Sequence, residues 1–252
     1  MTDRRRSIGD IIEEWLKDNP ARRSAQRPIS RSIFLELQLV IILIAVFSMY
    51  HYPLATPLPH ADVLILDMTQ TDHGSRSLLL GIMDRAHLST VLYEDFSINL
   101  VRMIPTGNYR YIILWGHSGI NDMATTEPYS PFHHVLEQLT GEVGKYLVHG
   151  HEYFSIAPGL VDQMKGTLHG SVVLLMGCNT LTENGLAKSF VQKGSSMVVG
   201  WTGLVPLQVT DLFLISLFQN ILQERLSIPE AFLRTSNLLG SMGIDGLAST
   251  SA

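Results

Sequence analysis

The chain has 252 residues, 46% of them hydrophobic, which is ample for a buried core and excludes wholesale disorder. A formal charge of −5 and a pI near 6.0 argue against a nucleic-acid partner bound through counterion release. A single cysteine, Cys178, excludes an internal disulfide framework and any Cys-rich metal cluster, and a mean hydropathy of +0.18 points to a membrane segment.

Residues 1–32 form a basic tail with eight Arg and Lys side chains. Within it, Ser7 to Asn19 has the spacing of a short amphipathic helix, with Ile8, Ile11, Ile12, Trp15 and Leu16 on one face and Pro20 as its stop. Residues 33–50, IFLELQLVIILIAVFSMY, follow as the expected anchor. Glu36 is their only charge, and 18 residues of helix rise about 27 Å, close to the thickness of a hydrocarbon core. No Lys or Arg follows until Arg76, so the positive-inside bias predicts a single-pass membrane protein with a cytoplasmic tail and an extracytoplasmic C-terminal domain. Residues 51–60, with Pro53, Pro57 and Pro59, read as a Pro-rich stalk.

From Asp62 the pattern changes to short apolar runs separated by helical stretches. Strands are expected at Val63–Leu66, Thr90–Tyr93, Tyr111–Trp115, Val172–Met176 and Met197–Gly200. Runs this continuously apolar belong to parallel strands covered on both faces. Helices are expected over Ser75–His87, Leu186–Gln192, Asp211–Gln223 and Ile228–Leu239, the last opened by the capping box Ser227-Ile228-Pro229-Glu230. Tyr146–Ile156 interrupts the alternation and reads as a hairpin around His149-Gly150-His151. The expected fold is an α/β three-layer sandwich with a mostly parallel sheet over residues 61–245.

In such sheets the chemistry collects beyond the carboxyl ends of the strands. The third strand is followed by Gly116-His117-Ser118-Gly119 and the fourth by Gly177-Cys178-Asn179-Thr180. The only thiol and a glycine-flanked histidine thus hold equivalent positions on two strands. On neighbouring strands, about 5 Å apart, they would face each other as nucleophile and general base. Each residue alone has a plainer explanation, Cys178 as a small buried side chain and His117 as a surface group. Their matched positions carry the catalytic expectation.

At these residues the sequence resembles the caspase-like (clan CD) cysteine peptidases, most closely CHAT domains. Tyr111 to Gly119, YIILWGHSG, is similar to the strand that ends in the family's His-Gly motif. Phe154 to Cys178 resembles the run that delivers the cysteine, Cys178-Asn179-Thr180 the Cys-x-Thr after it, and Gly185 to Arg234 the family's later course. The resemblance covers roughly residues 61–240. It implies a caspase-like sheet, His117 as general base, Cys178 as nucleophile, and an oxyanion hole of backbone N–H groups at Ser118, Gly119 and Cys178. It further implies a protein or peptide substrate, hydrolysis through a thioester, and Asp211 as an acidic residue that binds substrate. Ser118 stands where the family usually has glycine, and Asn179 where CHAT domains often have glutamate.

Two other functions compete. A caspase-like domain can serve as a catalytically inactive scaffold or binding module, and the Ser118 departure is compatible with that. A serine hydrolase would use Ser118 in a nucleophile elbow, but the G-x-S-x-G pattern fails at Ile120, and Asn121-Asp122 with Pro128 and Pro131 predicts a loop where the elbow needs a helix. Ten histidines include His133-His134 and His149-Gly150-His151, yet no HExxH or carboxylate-rich partner motif accompanies them, so no metal is expected. No cofactor loop of the Walker or G-x-G-x-x-G type occurs.

Overall fold

The computed structural model describes residues 35–43, 57–69 and 74–251. The chain divides into two units, with the boundary between Leu54 and Ala55. In the first unit residues 35–43 are helical, and Leu35, Leu37, Leu39, Val40, Ile41, Ile42 and Leu43 are all 52–63% exposed. At about 100° per residue the last five of these point in every direction around the helix. Among the described residues no helix is long and apolar enough to cross a membrane. The basic tail, the amphipathic helix expected within it and the remainder of the 33–50 segment lie outside them.

The second unit is an α/β fold. Its main sheet has six strands in the order β2-β1-β3-β7-β8-β9. These are β1 (Val63–Asp67), β2 (Thr90–Tyr93), β3 (Tyr111–Trp115), β7 (Val172–Met176), β8 (Met197–Trp201) and β9 (Leu247–Ser251). All neighbours pair in parallel except β8 and β9, which are antiparallel. Every residue of β1, β3 and β7 is buried, which is why these strands read as unbroken apolar runs rather than as alternating patterns.

Alternate side chains feed two separate cores. Leu64, Leu66, Ile112, Leu114, Val173 and Leu175 pack on one face with α2 (Ile98–Arg102), α4 (Pro158–Gln163) and α5 (Gly185–Gln192). Val63, Ile65, Tyr111, Ile113, Trp115 and Leu174 pack on the other with α1 (Gly74–Arg85), α6 (Leu207–Leu222) and α7 (Ile228–Ser241). Helices on both faces of the sheet make the three expected layers. The capping box at Ser227 and Glu230 forms as its sequence spacing requires.

Four features depart from expectation. The stretch after Asn121-Asp122, read as a loop, is strand β4 (Met123–Pro128): β-branched Thr125 and Thr126 are buried in it, and Pro128 only closes it. It joins β5 (Val143–Val148) and β6 (His151–Ile156) in a second, antiparallel sheet ordered β4-β6-β5, with α3 (Val135–Thr140) between β4 and β5 in sequence. The hairpin was therefore legible, its third strand was not. Of the expected stalk only residues 57–60 are described, and they join the fold: Leu58 is buried in the core and the Tyr109 hydroxyl donates to the Pro59 carbonyl at 2.9 Å. Pairing of β9 with β8 carries the fold to Ser251, past residue 245.

Candidate active site

β3 and β7 are immediate neighbours, paired from Tyr111 opposite Val172 to Trp115 opposite Met176. His117 and Cys178 each follow two residues beyond that last register pair, so they stand at matching points of the carboxyl edge on adjacent strands. Gly116 N–H donates to the Met176 carbonyl at 3.1 Å and extends the pairing one step toward them. His117 is exposed and Cys178 half-buried, so the thiol is not sealed in the core.

Three polar contacts bind the histidine loop to the cysteine loop. The Ser118 hydroxyl, on a residue only 3% exposed, donates to the Cys178 carbonyl at 2.6 Å. Asn121 Oδ1 accepts from Gly185 N–H at 2.7 Å, satisfying one of the open donors at the start of α5, while its amide donates to Glu183. Ser118 also explains the glycine before the cysteine. A Cβ at position 177 would overlap the Ser118 hydroxyl and come within 2.6 Å of the Gly116 carbonyl oxygen. Behind the cysteine, buried Thr180 accepts from Trp201 N–H at 3.0 Å and donates to the Leu175 carbonyl at 3.1 Å, holding the loop against β8.

Around the thiol, Val205 N–H lies 3.5 Å from Cys178 Sγ and the Val205 carbonyl 3.6 Å from it, both from the loop between β8 and α6. The small sheet closes the other side. Tyr146, on β5, donates its hydroxyl to the Ser118 carbonyl at 2.8 Å. Burial pushes the Tyr146 phenol above its ordinary pKa, and the nearby Asp122 and Cys178 push the same way. The hairpin turn brings His149 edge-on to the His117 ring, with centroids 5.6 Å apart. This turn has two residues, His149 and Gly150, both with positive φ (50° and 84°), the conformation a tight hairpin with the native strand twist requires. His117 sits below its ordinary pKa, first because the surrounding protein desolvates its ring and second because His149 opposes a charge beside it.

The residues expected at the oxyanion hole do not behave alike. Gly119 N–H is engaged with Asp122, at 3.1 Å from its carbonyl oxygen and 3.0 Å from its carboxylate. Burial raises the Asp122 pKa, against the lowering effect of that N–H. Asp211 lies on the second turn of α6, because this helix starts at Leu207 rather than at Asp211 itself, and it is 6% exposed. Its side chain is therefore largely buried. His134 has a structural place, with Nε2 2.8 Å from Glu127 and its ring against Phe154. Among the described residues no three His, Cys, Asp or Glu side chains gather in metal-holding geometry.

Tyr146, His149 and Asp122 are expected from the sequence only as hairpin and loop residues, not as members of the site. The hairpin signal at His149-Gly150 was present, but nothing local says that its turn folds back onto a strand end some thirty residues earlier. No protein-family model matches this chain, and no curated protein matches it.

Proposed function

We propose that this protein is a membrane-anchored cysteine endopeptidase of the caspase-like type, with Cys178 as nucleophile and His117 as general base. The observation that carries the reading is the register of β3 and β7, which sets the one thiol of the chain and a glycine-flanked histidine side by side at the carboxyl edge of a parallel sheet. The mostly parallel order of that sheet is in keeping with a caspase-like architecture.

In this mechanism His117 accepts the Cys178 proton, and the sulfur attacks the peptide carbonyl carbon. The oxyanion is received by backbone N–H groups at Ser118 and Cys178, with Gly119 left to anchor the loop through Asp122. The imidazolium gives its proton to the leaving amine, which departs and leaves a thioester on Cys178. Water, activated by the same imidazole, then releases the acid product and restores the thiol. A low His117 pKa suits this role, because the base has to be neutral to start the cycle. The exposed helical run Leu39–Leu43, apolar on every side, supports the anchor, since a stretch without a polar face needs an apolar surrounding.

One observation favours a second reading, the inactive scaffold: among the described residues the hydrogen-bond partners of Sγ are the N–H and the carbonyl of Val205. The serine-hydrolase alternative finds no such support, since the Ser118 hydroxyl is buried and committed to Cys178. The test is cleavage of a diverse peptide library by the full chain in neutral detergent. Products made by the wild type and absent with Cys178→Ala support the peptidase; equal product sets, or none, turn the reading toward the scaffold.

A further inference from the structure

We propose that a cleft at the amino-terminal edge of the main sheet binds an amphiphilic anion, a phosphate or phosphonate group carried on an alkyl body. The cleft encloses about 640 Å³ and is lined by Arg85 at the end of α1, Arg110 just before β3 and Arg225 just after α6. Arg110 precedes the same strand that His117 follows, so the cleft and the candidate active site lie at opposite ends of β3, ~20 Å apart along the strand direction.

The pairing of the arginines sets this place apart. Six arginines fall among the described residues of the second unit. Arg76 pairs with Asp67 and Glu94, Arg102 with Glu137 and Glu142, and Arg234 approaches Glu224 at 4.0 Å. The other three are those of the cleft, and none of them forms a salt bridge among the described residues. Among the described residues no acidic side chain lines the cleft. Asp84 and Glu224, which directly precede Arg85 and Arg225 in the chain, are not among the lining residues and form no salt bridge with the cleft arginines among the described residues. Asp62, which acts on Arg110 electrostatically, accepts from Ser89 N–H and hydroxyl, and Glu230 accepts from Ser227 N–H and hydroxyl. A chain of net charge −5 therefore gathers three guanidinium groups around a cleft whose lining, among the described residues, holds no carboxylate. Arg110 is also braced, its guanidinium carbon 5.2 Å from the centroid of the Tyr111 ring.

The rest of the lining decides what kind of anion fits. Between the arginines the surface is aliphatic, from Leu88, Ile221, Leu222, Leu226 and Ile228, with Ser227 as the one uncharged polar side chain. Inorganic phosphate would satisfy the guanidinium groups and leave this floor in water. An alkyl group attached to the phosphate would cover it, adding apolar burial to charge-assisted hydrogen bonds.

The experiment is calorimetric titration of the full chain, in neutral detergent, with hexyl phosphate and with inorganic phosphate. Saturable binding of hexyl phosphate is expected, at least tenfold tighter than inorganic phosphate. The Arg85→Gln/Arg225→Gln double variant should weaken it at least tenfold, while Arg234→Gln, outside the cleft, should leave it unchanged. If the double variant fails to melt cooperatively, Arg225→Gln alone has to show a clear loss. No saturation, equal affinity for the two phosphates, or binding that survives the arginine substitutions would overturn the proposal. Repeating the titration in nanodiscs with and without phosphatidic acid separates the two sources of such a ligand. Competition by the anionic bilayer assigns a lipid headgroup, and its absence assigns a soluble amphiphile.

Discussion

At the scale of single residues, the proposed chemistry belongs to Cys178 and His117. Cys178→Ala should abolish peptide hydrolysis, since no other thiol exists to form the acyl intermediate. His117→Ala should lower kcat/KM by ~10²–10⁴, the usual worth of one general base. Steady-state kinetics on any peptide found to be cleaved checks both. The pH dependence has a definite sign. A general base works in its neutral form, and His117 lies below its ordinary pKa, so the acid limb of kcat/KM should fall below the ~6.5 of an unperturbed histidine. His149→Asn removes the neighbouring group that opposes protonation, so the limb should move to higher pH; a profile that stays put would show that His149 has no hold on His117. The pair itself was legible because each residue directly follows an apolar strand and a glycine. Tyr146 and His149 were not, because a hairpin reveals its own turn and not the surface it packs on.

At the scale of elements, the site depends on two loops being fastened together. The Ser118→Ala change removes the hydroxyl bond to the Cys178 carbonyl inside a buried contact, at a cost of about 1 kcal/mol in stability measured by denaturant unfolding. Gly177→Ala is the harsher change. Its methyl group meets both the Ser118 side chain and the Gly116 carbonyl, so overpacking should cost about 1–3 kcal/mol or more. If Gly177→Ala proves neutral, the tight apposition of the two loops is wrong. The strands were readable because burial on both faces leaves only apolar residues, as in the VLILD of β1 and the VVLLM of β7. Partly polar elements were lost. β4 carries Thr, Glu and Pro, and β9 reads LASTS at an edge, so neither has an apolar run or a clean alternation to betray it. Helix α6 begins four residues before Asp211 because Pro206 caps its start, and its first turn contains Val209 and Thr210, weak helix formers that hide it. That offset puts Asp211 on the second turn of α6 rather than at its entrance.

At the scale of the whole molecule, composition separates a basic tail and apolar segment from an α/β unit, and the structure divides the chain between Leu54 and Ala55. The orientation proposed for the chain follows from eight basic residues before the apolar segment and none between it and Arg76. Protease added to intact cells should therefore digest the C-terminal unit and spare the tail; protection of that unit would reverse the topology. Deleting residues 1–50 should release the remainder from the membrane fraction. Persistent association after high-salt washing would mean that another surface, and not residues 33–50, holds the protein there.

The most direct test of the central claim is the labelling of Cys178 by a thiol-directed peptidyl probe at neutral pH, followed by intact mass in the wild type and in His117→Ala. A working dyad predicts stoichiometric modification of Cys178 in the wild type and a loss of at least a hundredfold in rate when the imidazole is removed. Labelling at the same rate in both proteins, or none in either while the fold is intact, would contradict it.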